Sequence, residues 1–118
     1  MIKFTILLKR NSALSRQQFV DHHRNIHASL FMSVPIVKTT VRRYVQQHAV
    51  EFQMPGLPPA NYDGVTELWF DDIEALGRCF SDPEYLDQVR PDEAFFLDLH
   101  ACDFVVSEET SVWNSVAI

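Results

Sequence analysis

Ile2-Lys-Phe-Thr-Ile-Leu-Leu-Lys9 sets Ile2, Phe4, Ile6 and Leu8 on one side of an extended chain and Lys3, Thr5, Leu7 and Lys9 on the other. Its middle is apolar on both sides, the pattern of a central strand covered on both faces. Such a strand needs neighbours in a sheet and a layer over it, and the chain downstream offers both.

Ser15-Arg-Gln-Gln18 is a capping box, with Ser15 as N-cap and Gln18 reaching back. It predicts a helix to about Val34, ended by Pro35. Phe19, His23, Ile26, Leu30 and Val34 fall on one face of that helix, with His27 and Phe31 on its shoulder. Val37 to His48, rich in β-branched residues, reads as a second strand, and Asp63 to Phe70 as a third. Gly64 is expected to supply a backbone conformation that other residues resist. Asp71-Asp72 cap a helix through Phe80, Ser81-Asp-Pro83 breaks it, and short helical pieces follow from Pro83 to Val89 and from Pro91 to Leu97. His100 to Glu108 is the last strand.

The order β-α-β-β-α-β is the ferredoxin-like split pattern: an α+β fold with a four-stranded antiparallel sheet and helices on one face. The other face is bare, and in a chain this short a second copy is the natural cover. The expectation is a homodimer with its sheets packed face to face. Residues 1–109 form the domain and 110–118 a tail, whose Trp113 is expected to pack rather than stand in water. Glu51 to Asn61, with Met54-Pro-Gly-Leu-Pro-Pro59, is the long irregular connection and a candidate rim or lid.

Composition narrows the function. The 118 residues suit one domain with one core, filled by nine Phe, two Trp and three Tyr. A net charge of −6 argues against nucleic acid as partner, since counterion release needs clustered Lys and Arg. No apolar run reaches membrane-spanning length, and the opening residues read as a strand rather than a signal peptide. Cys79 and Cys102 lack metal-ligand spacing and suit buried thiols in a reducing cytoplasm. No Gly-rich phosphate loop, serine nucleophile elbow or CxxC pair is present, so no cofactor is expected.

The residues that carry chemistry are His, Tyr and Asp. Alternation along the second strand puts Arg42, Tyr44, Gln46 and His48 in one polar stripe, which is either a solvent-facing edge or a cavity wall. As a wall, Tyr44 donates to a substrate oxygen and His48 exchanges a proton. His23 and His27, four apart on the helix, share a side and have the spacing of a metal pair, but no third ligand stands beside them, so no metal is expected; His22 points elsewhere. His27 has the pKa range for acid–base work at neutral pH, or is a packed histidine bonded to a carbonyl. Asp92 either orients an imidazole or, with Glu93, stabilises a helix N-terminus. Glu67 is another possible carboxylate partner. Trp69 and Phe96, with Phe70 and Phe95, are core aromatics, some of which also contact substrate.

Taken together, the opening strand, the helix Leu14-Ser-Arg-Gln-Gln-Phe-Val-Asp-His-His-Arg-Asn-Ile-His-Ala28, Arg43-Tyr-Val-Gln-Gln-His48, Tyr62-Asp-Gly-Val-Thr-Glu-Leu-Trp-Phe70, Asp92-Glu-Ala-Phe-Phe-Leu97 and Val105-Val-Ser-Glu-Glu109 resemble the EthD family of the dimeric α+β barrel superfamily. The resemblance implies a pocket and His27 in the place of the family's helix histidine, with Asp92 and Glu93 in its Asp-Glu element. Where the family commonly has an aromatic pair, often Tyr-Trp, this chain has His22-His23, which enlarges and polarises that pocket. The family's chemistry implies a cofactor-independent decarboxylase, isomerase, dehydratase or cyclase acting on an aromatic, polyketide-like or lactone substrate. In that reading His27, Tyr44, His48 and Asp92 are catalytic, and His23, Arg42, Gln46, Trp69 and Phe96 bind substrate. The alternative is a non-catalytic module of the same fold that binds a small molecule or haem.

Overall fold

The structure, a computed structural model, describes residues 1–116. Four strands, β1 (Ile2–Leu8), β2 (Val41–His48), β3 (Gly64–Phe70) and β4 (Asp103–Glu108), form one sheet in the order β2-β3-β1-β4. Every neighbouring pair is antiparallel. The doubly apolar β1 is central, as its pattern requires, between β3 and β4. Side chains of Phe4, Ile6, Leu8, Thr66 and Leu68 turn toward the helices, and alternation sends Thr5, Leu7, Val65, Glu67 and Trp69 to the opposite face. The chain is thus α+β and ferredoxin-like in its strand order.

Helix α1 (residues 16–33) starts at the expected capping box: Ser15 Oγ accepts the Gln18 N–H, and Gln18 Oε1 accepts the Ser15 N–H at 2.8 Å. Its middle, His22–His27, is a π-helical turn in which the Ala28 N–H reaches back five residues to the His23 carbonyl. The wider turn keeps residues four apart on one face. Phe19, His23, His27 and Phe31 are therefore all buried, while Ile26, expected on the core face, is 56% exposed.

Pro35 ends α1 but also begins a short helix, α2 (Pro35–Thr40), that replaces the expected start of the second strand. Proline suits a first helical turn because its φ is already set and its missing N–H would have no partner there. Downstream, Asp72 caps α3 (Ile73–Ser81) by accepting the Ala75 N–H at 2.8 Å. The two helical pieces expected after Pro83 join into α4 (residues 85–96), a π turn Tyr85–Val89 running into Arg90–Phe96. The last strand begins at Asp103 because Leu99–Ala101 close a 3₁₀ turn.

The core has two clusters. Phe31, Val34, Val37, Leu68, Phe70, Cys79, Tyr85 and Val89 pack under α2 and α3, and Leu8, Phe19, Phe96, Leu97 and Cys102 pack at the other end of the sheet. Gly64 sits where a Cβ would come within 2.7 Å of the Gln47 carbonyl oxygen; its requirement is close strand approach, and it lacks the positive φ that would demand glycine. Trp113 stands 84% exposed, contrary to expectation, because the chain after Glu108 has left the sheet. Among the described residues no helix is long and apolar enough to cross a membrane.

Candidate functional site

A cavity of about 330 Å³ lies between the helical layer and the sheet, at the seam of the two core clusters. Its apolar wall includes Ile6, Phe31, Leu68, Phe80 and Phe96, with half-exposed Phe104 of the edge strand β4. The polar side chains that reach it are His23 and His27 of α1, Tyr44 of β2, Thr66 of β3, and Tyr85, Arg90 and Glu93 of α4. No residue of the loop 51–61 lines it.

The first polar group centres on Asp92. His27 Nδ1 lies 2.9 Å from Asp92 Oδ2, and His22 Nε2 lies 2.7 Å from Asp92 Oδ1. One carboxylate thus accepts from two imidazoles five residues apart. An α-helix turns such a pair to different sides; the π turn His22–His27 brings them together. His22 therefore does not point away, as α-helical spacing had implied. Burial lowers the pKa of His27 against the opposing pull of Asp92, so the contact is a hydrogen bond from a neutral ring. With its proton on Nδ1, His27 keeps the Nε2 lone pair, which no described protein group occupies, for the cavity. Phe96 backs the site, its ring 4.8 Å from that of His27 and 5.0 Å from that of His22.

The second group is a chain. His48 Nε2 is 3.0 Å from His23 Nδ1, and His23 Nε2 is 3.1 Å from Thr66 Oγ1. His23 is 1% exposed, and burial together with its imidazole neighbours drives its pKa down to about 3. The chain therefore runs through neutral rings. It has two equivalent patterns: His48 donates to His23 and His23 to Thr66, or Thr66 donates to His23 and His23 to His48. With both ring nitrogens of His23 engaged, the i,i+4 pair His23 and His27 is tied into two different networks. Among the described residues no group of three or more His, Cys, Asp or Glu is arranged to hold a metal ion.

Tyr44 is the third. Gln46 Nε2 donates to the Tyr44 hydroxyl at 2.7 Å and to the His23 carbonyl at 2.8 Å. The hydroxyl proton of Tyr44 is left for a cavity acceptor. Burial raises its pKa to about 12, with Glu93 adding to the rise, so it is a phenol at neutral pH.

Two residues expected here lie elsewhere. A register shift between Val41 and Arg43 breaks the alternation of β2, and Arg42 turns out to an exposed pair with Asp71, 2.7 Å from Nη2 to Oδ2. Trp69 lies on the far face of the sheet, where Lys3 and Arg43 flank its ring at 4.9 and 4.7 Å and its Nε1 donates to Glu109. Glu67 is on that face too, paired with Lys3. Conversely, Tyr85 and Arg90 line the cavity without having been singled out, and Glu93, read only together with Asp92, lines it too. Arg90 and Glu93 have ordinary i,i+3 helical spacing, but Tyr85 joins them only across a π turn, which has no helical signal in sequence.

Residues 11–100 match the EthD domain. The chain belongs to the EthD family. Among curated relatives, this EthD chain is 26% identical over 107 residues to a protein named dehydratase aurZ from Gibberella zeae, covering 83% of this chain and 70% of that protein. Its fold is shared with an EthD family protein from Bacillus halodurans (TM-score 0.71, 22% identity, 93% of this chain and 99% of that one). It is shared also with a dimeric ferredoxin-like protein of unknown function from Thermobifida fusca (TM-score 0.58, 16% identity, 90% and 86%).

Proposed function

We propose that this EthD domain is a cofactor-independent acid–base enzyme, and that its reaction is dehydration of a β-hydroxy carbonyl carried on an aromatic or polyketide-like skeleton. The observation that carries the reading is a neutral His27 fixed by Asp92 through Nδ1, with Nε2 open to an apolar cavity. The aurZ similarity favours dehydration over decarboxylation, isomerisation or cyclisation.

In this mechanism His27 Nε2 takes the proton α to the carbonyl. The electron pair moves onto the carbonyl oxygen, where the Tyr44 hydroxyl donates to the enolate. Collapse of the enolate expels the β-hydroxyl, which leaves as water with the proton His27 had taken. Asp92 stabilises the transient imidazolium and then holds the neutral ring in the same tautomer. The His48–His23–Thr66 chain links half-buried His48 to the cavity wall and re-equilibrates protons with solvent without ever charging His23. Phe96 and His23 shape the wall.

The working unit is a homodimer. Leu7, Val45 and Val65, half-buried, and Val105, 47% exposed, lie on the sheet face opposite the helices, and a relative of the same fold is dimeric. The buried free thiols Cys79 and Cys102 suit a reducing, cytoplasmic setting.

The test begins with a thermal-shift screen of polyketide-like phenols, aromatic acids and lactones. A ligand at a hundred times its Kd adds about 2.7 kcal/mol to the native state. β-Hydroxy carbonyl analogues of the hits are then assayed for loss of water. His27→Ala is expected to lower turnover by about 10²–10⁴-fold while the fold and ligand binding persist. Binding without turnover of any analogue assigns the cavity to a carrier or sensor; turnover retained in His27→Ala removes His27 from the mechanism.

A further inference from the structure

Arg90 is the single Lys or Arg among the residues that line the cavity. Its N–H closes the π turn by bonding the Tyr85 carbonyl, which fixes the start of its side chain. Farther out, Nε donates to Glu93 Oε1 at 3.0 Å, and the guanidinium stands 5.3 Å from the centre of the Tyr85 ring. The Tyr85 hydroxyl donates to both oxygens of Glu93 at 2.8 Å, so the carboxylate is itself immobilised. The guanidinium is thus braced along one edge and one plane. Its side-chain hydrogen bonds to described groups all come from Nε, to Glu93 and, at 3.4 Å, to the Tyr85 hydroxyl, so the two terminal nitrogens are left over, and the side chain is 47% exposed.

A guanidinium held by its Nε edge presents its remaining N–H groups as a fork, the geometry that matches a carboxylate. The position at an apolar cavity makes the fork part of a mixed site: a hydrophobic body inside, an anionic group at the arginine. Glu93 neutralises the charge of Arg90, so the cluster offers directional N–H donors with no surplus charge, which suits a planar carboxylate better than a dianion such as phosphate. From this arrangement we propose that Arg90, positioned by Glu93 and Tyr85, is a carboxylate-binding subsite, and that the natural ligand is an aromatic or polyketide-like acid. This rests on the reading of the cavity as the substrate pocket. It adds a second anchor to that pocket, separate from the reacting carbon, and so restricts which end of the substrate meets His27.

Calorimetric titration with 2-naphthoate and its methyl ester tests the subsite, because the ester keeps the ring system and the carbonyl but loses the carboxylate charge. Wild type is expected to bind the acid about tenfold or more tightly than the ester, the scale of one charge-assisted contact. Arg90→Met should abolish the preference and leave ester affinity unchanged; Arg90→Lys, which keeps the charge and loses the fork, should retain part of it. His27→Ala should preserve the preference, which separates the subsite from the acid–base group. Equal affinity for the two probes in wild type, or a preference that survives Arg90→Met, overturns the proposal while the cavity reading stands. Failure of both probes to bind overturns both.

Discussion

On the cavity face of the sheet, Tyr44 and Thr66 meet buried imidazoles, and burial moves the titrating groups toward their neutral forms: His23 and His27 down, Tyr44 up. On the opposite face of the same strands Lys3 pairs with Glu67, and Lys3 and Arg43 flank the Trp69 ring. The first face holds proton donors and acceptors whose burial favours their uncharged forms. The second holds charges that pair and stack. The difference separates the two proposed roles: neutral groups with open lone pairs or protons suit the proposed proton transfer, and the ion-pair and cation–π surface suits directional contacts with the proposed partner sheet.

Removing the carboxylate that orients the proposed catalytic ring is expected to give the largest break. Asp92→Asn leaves the volume but presents an amide to His22 and His27, and turnover in the dehydration assay is expected to fall by about 10²–10⁴-fold. An equal loss from a conservative change at Glu67 would erase the distinction between faces.

Stability against pH is a smaller effect with a definite sign. His23 is neutral in the folded state down to about pH 3, while in the unfolded chain it takes a proton near pH 6.5. Its contribution is complete above 6.5 and is lost as pH falls below that value toward 3; His27 and His48 are shifted in the same direction and add to the loss. Urea unfolding between pH 6.5 and 5 should show a declining free energy, and His23→Gln should make that slope shallower by about 1 kcal/mol per pH unit. An unchanged slope would place His23 in water.

The smallest effect belongs to the outer face. Glu67→Gln is expected to raise the dimer dissociation constant, measured by sedimentation, and to change turnover of the assembled dimer by less than about threefold.

How far the residues alone reveal this depends on period. β1 shows its central place by being apolar on both sides, and Ser15 and Gln18 mark the start of α1, because both signals are local. His27 and Tyr44 stand out because strand and helix spacing, with the family resemblance, put them near one pocket. The π turn His22–His27 has no periodic signature in sequence, so His22 falls on the wrong side and Ile26 in the core when an α-helix is assumed. The shift between Val41 and Arg43 hides in the same way, and it removes Arg42 from the stripe. Arg90 and Glu93 pair at ordinary helical spacing, but Tyr85 meets them only through a second π turn, Tyr85–Val89. Local irregularities of backbone thus shaped most of what the pattern of residues left out, and the two π turns among them carry residues that line the cavity.

The most direct test of the account needs no substrate. Nitrogen-detected NMR of imidazole-labelled protein, assigned through His27→Gln, reads the tautomer and titration of each ring. The account predicts that His27 at pH 7 is neutral, carries its proton on Nδ1, and titrates below 6.5. A His27 already protonated at pH 7, or a neutral ring with its proton on Nε2, would contradict it, because neither has a lone pair to offer the cavity.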